Sequence, residues 1–192
     1  MAVGTQKLLN QRFHPMNPHS DPRILAIDVR RNRVGYAVFE GPKRLLDWGA
    51  SGVSPKLSAP AAIKAARKRV LLVLRRCDPM AAVVKRPRHT KTGQSSKPGP
   101  MLKAILREAA ALHLSVYFVN RKEILEAFRI FHGRSKDDIA ENLVRIFPEL
   151  IVKLPPRRGK WGTERPRMVI FDAIAAGFAY WQRNGTQFPP PE

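Results

Sequence analysis

Residues 23–40, RILAIDVRRNRVGYAVFE, contain two apolar runs that are separated by a short polar one. Residues 24–27 form a short apolar run of the kind found in buried strands, and residues 34–39 form a second one. The polar residues 30–33 between the two runs predict a tight turn, so the two strands should pair antiparallel. A further turn at residues 41–43 leads into a third strand. The sequence therefore predicts a three-stranded antiparallel meander.

The chain alternates between helical and strand patterns after this meander. Apolar residues at helical spacing predict a helix over residues 61–76, and a fourth, apolar strand follows at residues 81–84. A second helix over residues 100–113 and a fifth strand at residues 114–119 repeat this order. A strand, a helix and a strand in succession imply a right-handed parallel crossover. We therefore expect the last two strands to be parallel.

The rest of the chain is predicted to be helical. Asn120 with Glu123, and Ser135 with Asp138, form two capping boxes, each of which predicts the start of a helix. The first of these helices is predicted to reach Phe131 and the second about Phe147, with a loop from Pro148 onward. A last helix is predicted over residues 167–183. These elements predict an α/β fold in which a mixed five-stranded sheet, with three antiparallel strands followed by two parallel ones, is flanked by helices.

The length of the chain suits a single domain. We predict that residues 21–184 form it and that residues 1–20 and 185–192 are flexible tails. No apolar run approaches the roughly 20 residues of a membrane helix, and the N-terminal stretch does not resemble a signal peptide. The single cysteine, Cys77, excludes an internal disulfide framework. We therefore expect a cytoplasmic protein that is not associated with a membrane.

The charge is the strongest signal in the composition. The chain has 35 Lys and Arg against 15 Asp and Glu, a formal net charge of +20. Such a balance strains a compact fold through self-repulsion unless a polyanion relieves it. Nucleic acid is the favoured partner, because each neutralised phosphate releases condensed counterions. A solubilising basic surface or contact with an anionic membrane are the alternatives.

Two predicted loops carry much of this charge. One covers residues 85–100 and the other residues 153–167, which contain Trp161. A basic loop with one exposed aromatic residue is able to clamp phosphate and stack a base, although Trp161 is equally suited to covering the edge of the core. The candidate nucleic-acid contacts in these loops are Lys85, Arg86, Arg88, Lys91, Arg157, Arg158, Lys160 and Trp161.

Two acids stand in apolar surroundings. Asp28 ends the first predicted strand, and Asp172 shares one face of the last predicted helix with Met168, Ala175 and Ala179. Burying a carboxylate is expensive unless it is paired. A metal ion or an arginine would satisfy Asp172. The structural alternatives are a turn cap for Asp28 and a buried salt bridge for Asp172.

The order of these elements and several local motifs resemble the RuvC family of Holliday junction resolvases, which has the RNase H-type fold. The resemblance covers roughly residues 23 to 182. The similar motifs are Ala26-Ile27-Asp28, residues 33–38, residues 45–53, residues 78–84, Lys122, Gly133, Lys136 and Phe171-Asp172-Ala173-Ile174-Ala175. The resemblance also implies that Lys122 and Lys136 contact phosphate, although a solvated helix start suits both residues equally well.

The resemblance implies a metal-dependent mechanism. Members of the family gather four carboxylates around two Mg²⁺ ions, which activate water for phosphodiester cleavage. Asp28 and Asp172 match two of these carboxylates. The other two positions hold Lys85 and Val169. Glu164, eight residues before Asp172, is a candidate replacement, so one hypothesis is that Asp28, Asp172 and Glu164 bind a single Mg²⁺ or Mn²⁺. The competing hypothesis is that Lys85 forms a structural ion pair with Asp28 or Asp172.

Two main functions follow from the resemblance. The first is a divalent-metal-dependent endonuclease that acts on branched DNA with an eroded acidic site. The second is a catalytically inactive module of the same fold that binds DNA or RNA, which the +20 charge and the lysine at residue 85 favour. A third is an RNase H-type protein that acts on RNA. The resemblance also implies a homodimer.

Overall fold

The computed structural model describes five stretches of the chain, which are residues 21–30, 33–52, 58–86, 99–157 and 165–186. The predicted N-terminal tail and all but the first two residues of the predicted C-terminal tail lie outside them. Among the described helices, none combines the length and the apolar character that are needed to cross a membrane.

A mixed five-stranded sheet forms the centre of the fold. Its strands lie side by side in the order β3-β2-β1-β4-β5. β1 pairs antiparallel with β2, and β2 with β3, whereas β4 pairs parallel with both β1 and β5. The predicted fold class is therefore confirmed. The strands are β1 (Arg23–Arg30), β2 (Arg33–Glu40), β3 (Arg44–Gly52), β4 (Ala81–Lys85) and β5 (Ser115–Val119).

Helices cover both faces of the sheet. α1 and α2 pack on one face, and α3, α4 and α5 pack on the other. We call these the α1/α2 layer and the α3–α5 layer. The helices are α1 (Ala59–Cys77), α2 (Pro100–Ala111), α3 (Arg121–Ala127), α4 (Lys136–Ile146) and α5 (Met168–Arg183), with short 3-10 helices at Arg129–Phe131 and Pro148–Lys153.

Strand alternation divides the core into two parts. In β1, Ile24 and Ala26 face the α3–α5 layer, whereas Leu25 and Ile27 face the α1/α2 layer. Successive side chains of a strand point to opposite faces, and both faces of this sheet are covered. The central strands are therefore apolar without interruption, as a strand buried on both sides requires.

Several predicted boundaries were wrong, and three of them bear on the core or on the candidate site. The predicted turn at residues 30–33 is shorter, because Arg30 belongs to β1 and Arg33 to β2. The helix predicted to reach Phe131 ends at Ala127, and 3-10 bonding continues it, with the Phe131 N–H donating to the Phe128 carbonyl. The loop predicted from Pro148 begins instead as a 3-10 helix, which the fully buried Leu150 anchors to the core.

Candidate functional site

Strand alternation brings three charged residues to the same face of the sheet. Asp28 and Arg30 follow Ile24 and Ala26 at two-residue spacing in β1, so they point toward the α3–α5 layer. Lys85 has the same relation to Val83 in β4. Because β1 and β4 are parallel neighbours, these side chains meet at the carboxyl ends of adjacent strands.

A close approach between β2 and α5 places the second acid above the first. Gly35 stands opposite Asp28 in the sheet, and a Cβ atom at Gly35 would collide with the Val169 carbonyl oxygen. Glycine therefore lets the first turn of α5 lie directly on β2. Asp172 is three residues beyond Val169, on the same side of α5. Asp28 and Asp172 are only 5% and 7% exposed.

Three cationic side chains surround the two buried carboxylates. Arg30 bridges them, since its Nε donates to Asp28 Oδ2 at 2.7 Å and its Nη2 donates to Asp172 Oδ2. Lys136, the first residue of α4, donates from Nζ to Asp172 Oδ2 at 2.8 Å. Lys85 Nζ donates to Asp172 Oδ1. We call Asp28, Arg30, Lys85, Lys136 and Asp172 the ion cluster.

Burial and charge act against each other in the ion cluster. Burial raises the pKa of the Asp28 carboxyl, the positive charge of Lys85 opposes the rise, and the nearby Asp172 carboxylate adds to it. Burial lowers the pKa of the Lys85 ammonium, and the Asp172 and Asp28 carboxylates oppose that change. Only 13% of the Lys85 side chain and 11% of the Lys136 side chain are exposed. The cluster is therefore an ion network that is held largely away from water.

The ion cluster does not fit a divalent-metal centre. A magnesium or manganese ion is held through carboxylate oxygens that are free to coordinate it, but Arg30, Lys85 and Lys136 already occupy the two carboxylates. At an effective dielectric of 20, two unit charges about 4 Å apart repel by about 4 kcal/mol, and a dication beside the Lys85 ammonium would be repelled more strongly. Val169, at the position of a further expected acid, is buried in the core. Within the described stretches, no group of three or more His, Cys, Asp or Glu forms a potential metal site.

The other candidate residues lie around the ion cluster or away from it. Arg86 directly follows Lys85, is exposed, and stacks on the Phe118 ring at 5.6 Å. Lys122 is exposed in the first turn of α3. Arg157 contacts Glu141 and Asp138 of α4, so it is already engaged with acids. The candidates that lie outside the described residues are Arg88, Lys91, Arg158, Lys160, Trp161 and Glu164.

Arg30 is the residue that the sequence analysis missed. Its place in a run of four polar residues favoured a turn, whereas the structure puts it in β1 as the bridge between both acids. The useful signal was its spacing, because residues two apart in a strand share a face. Lys136 was predicted as a phosphate contact, and the structure places its ammonium on Asp172.

Comparison with solved structures identifies the fold. RuvC of Thermus thermophilus, in a complex with a Holliday junction substrate, superposes with a TM-score of 0.64 at 23% identity, covering 85% of this chain and 96% of that one. A second Thermus thermophilus RuvC structure gives a TM-score of 0.61 at 21% identity, with 85% and 97% covered. No protein-family model and no curated protein match the sequence.

The architecture and these superpositions agree with the fold predicted from the order of the elements and the motifs along the chain. The chain has the RuvC-type, RNase H-like fold.

Proposed function

We propose that this protein binds branched DNA through a RuvC-type fold without metal-dependent cleavage. The observation that carries this proposal is the Lys85 ammonium, which lies on Asp172 together with Arg30 and Lys136. In this proposal, the three fixed cations neutralise the buried carboxylates, as metal ions do in an acidic site. A polyanion can then approach the ion cluster without being repelled by the carboxylates.

The balance of charge in the ion cluster supports binding. Two carboxylates alone would repel the phosphates of DNA, but two Lys and one Arg leave the cluster with one net positive charge. Arg30, whose side chain is 29% exposed, is the most accessible of the three cations. Exposed Arg86 and Lys122 continue the positive charge beyond the cluster. Backbone phosphates are recognised by side chains of this kind.

The choice of branched DNA rests on the similar structures. Thermus thermophilus RuvC, which covers 85% of this chain, is known in a complex with a Holliday junction substrate. The same similarity favours a second function, a Mg²⁺- or Mn²⁺-dependent nuclease that uses Asp28, Asp172 and Glu164. That function would require a divalent cation to displace Lys85 or Arg30 from the carboxylates.

The test is binding and cleavage of a four-way DNA junction by the purified full-length protein. We expect affinity in EDTA at least equal to that in Mg²⁺, steep dependence on salt, and intact DNA strands with either Mg²⁺ or Mn²⁺. Metal-dependent cleavage that Asp28→Asn abolishes would establish the nuclease and overturn the proposal. Equal affinity for a linear duplex of matched sequence would remove the branched-DNA part.

Substitutions of Lys85 test the part played by the ion cluster. Lys85→Met takes the net charge of the ion cluster from one positive charge to zero, so junction binding should weaken and its dependence on salt should become less steep. Lys85→Glu gives the cluster three carboxylates, so its junction binding should become dependent on Mg²⁺. The matched control is Lys43→Met, because Lys43 is an exposed lysine in the β2–β3 turn at the other end of the sheet. Thermal unfolding checks that each variant is folded, and Lys85→Arg keeps the charge if Met is not tolerated.

A further inference from the structure

α1 presents a row of three cations on its outer face. Lys64, Lys68 and Arg75 are all exposed, and at 100° per residue they lie within a narrow stripe of the helix. The opposite face of α1 is buried against the sheet through Ala66 and Val70, among others. The stripe is therefore fixed in orientation by the core, and we call it the α1 stripe.

No acid of α1 balances this charge. The sequence of α1 contains six Lys and Arg and no Asp or Glu. α2, which packs beside it, adds Lys103, Arg107 and one acid, Glu108. Glu108 pairs with Arg67 of α1. Within the described residues, Lys64, Lys68 and Arg75 form no ion pair that would offset their charge.

The topology gives the α1 stripe a direction. α1 follows β3, whose last residue, Gly52, pairs with Arg33 at the end of the sheet that carries Asp28. α1 then leads into β4, which starts beside Ile24 at the opposite end. The α1 stripe therefore runs from the end of the sheet that carries the ion cluster to the opposite end of the sheet. It lies on the side of the sheet that α5 does not cover.

The length of the α1 stripe matches a segment of duplex backbone. Lys64 and Arg75 are eleven residues apart, which is about 16 Å along a helix. Each strand of B-DNA carries a phosphate for about every 3.4 Å of its axis. Three cations spread over this distance can each face a different phosphate of one duplex segment.

We propose that the α1 stripe is a second contact surface for DNA, along which a duplex arm lies by its phosphate backbone. This inference rests on the proposed binding function but concerns a separate surface, on the other face of the sheet from Asp172. A duplex is a better occupant than an anionic membrane, because the apolar side of α1 is buried and Leu72 is the exposed large apolar residue of the helix. The contact requires no base recognition, so it should hold linear duplexes as well as junctions.

The experiment measures duplex and junction affinity against salt for the full chain and a triple variant, Lys64→Gln, Lys68→Gln and Arg75→Gln. Glutamine has nearly the helix propensity of lysine and arginine, so α1 should stay folded. The triple variant should lower the salt slope by about 2.7 on both DNA forms, with at least a tenfold loss of affinity at moderate salt. Circular dichroism and thermal unfolding check that the fold is unchanged.

A matched control removes the same charge from the other layer. Arg129→Gln, Arg145→Gln and Lys153→Gln neutralise three exposed cations outside the α1/α2 layer. An equal loss of affinity in both triple variants would mean that net charge alone acts, and it would overturn the α1 stripe. An unchanged salt slope in the α1 variant would also overturn it. If the α1 variant loses binding to phosphatidylserine vesicles but keeps DNA binding, the surface faces a membrane and the proposal is wrong.

The failure of this inference can be distinguished from the failure of the proposed function. If the wild-type protein binds neither junction nor duplex, the proposed function is wrong and the stripe loses its partner. If the wild-type protein binds and the α1 variant matches it, only the stripe is wrong. Lys85→Met provides the complementary case, because it alters the ion cluster and leaves α1 intact.

Discussion

The two helical layers of this protein differ in charge and in what they bury. The helices of the α1/α2 layer contain eight Lys and Arg and one acid, whereas those of the α3–α5 layer contain five Lys and Arg and six acids. The core under the α3–α5 layer is the larger, and it contains a cluster of phenylalanines, including Phe39, Phe128, Phe131, Phe147 and Phe178. The core under α1 and α2 is smaller, and among the residues that the structure describes Tyr36 is its one aromatic side chain.

The starts of four of the five helices show the same division, whereas α5 begins at Arg167 without a side-chain cap, as α1 and α2 do. α3 and α4 begin with capping boxes, in which Asn120 and Ser135 accept backbone N–H groups while Glu123 and Asp138 accept in return. α1 and α2 begin at Ser58 and Gly99 without a side-chain cap. The difference indicates that the α3–α5 layer supplies most of the stability, while the α1/α2 layer presents most of the positive charge.

The largest effect expected from this comparison is the loss of stability when a buried leucine is shortened to alanine in either core. Leu143 of α4 is fully buried in the larger core, and Leu74 of α1 is 4% exposed in the smaller one. Leu143→Ala should lower the free energy of unfolding by about 4 kcal/mol and Leu74→Ala by about 2 kcal/mol, because the cost rises with the cavity that cannot collapse. Urea denaturation of both variants measures the difference. Equal losses, or a larger loss at Leu74, would contradict the division between the layers.

The sequence was sufficient to predict the strands and helices of the fold and a mixed sheet flanked by helices. Alternating and continuous apolar runs located all five strands, and the capping boxes at Asn120 and Ser135 marked the starts of α3 and α4 within a residue. These signals are local, so the residues that make them are neighbours in the chain. The motif around Asp172 added the resemblance to RuvC, and the superpositions confirm the fold.

The ion cluster could be predicted only in part. Burial of Asp28 and Asp172 followed from their apolar neighbours, and Lys85 was weighed as an ion-pair partner. The bridge made by Arg30 depends on the close approach of α5 to Gly35, which joins residues far apart in sequence. A pattern of hydrophobic spacing fixes which face a side chain occupies, but it does not fix how closely two backbones pack.

A smaller loss of stability is expected when the serine at the start of a helix is replaced by alanine. Ser135→Ala removes the hydroxyl that accepts the Asp138 N–H at 3.1 Å, and it should lower the free energy of unfolding by about 1 kcal/mol. Ser58→Ala removes no side-chain cap from α1, so its effect should be close to zero. Denaturation of the two serine variants under one set of conditions provides the measurement. A loss at Ser58 as large as that at Ser135 would show that α1 is capped in solution as firmly as α4.

The smallest expected effect is the change in the free energy of unfolding when one surface charge is removed, and its sign should differ between the two layers. Lys64 and Lys68 are like charges four residues apart on α1, whereas Glu126 of α3 and Arg129, three residues later, form an ion pair at 3.0 Å. Such pairs are worth about 0.2–0.5 kcal/mol. Lys68→Gln should therefore raise the free energy of unfolding by that amount at low salt, and Arg129→Gln should lower it.

Salt and DNA distinguish this charge effect from other causes. Both changes should fade in 1 M salt, where screening shortens the Debye length to about 3 Å; a stability change that persists there would have a different origin. With saturating duplex DNA, the sign at Lys68 should reverse, because a ligand stabilises the folded state according to its affinity and the wild-type protein holds the DNA more tightly. The repulsion that α1 tolerates in the free protein would then be the same charge that binds the backbone in the complex.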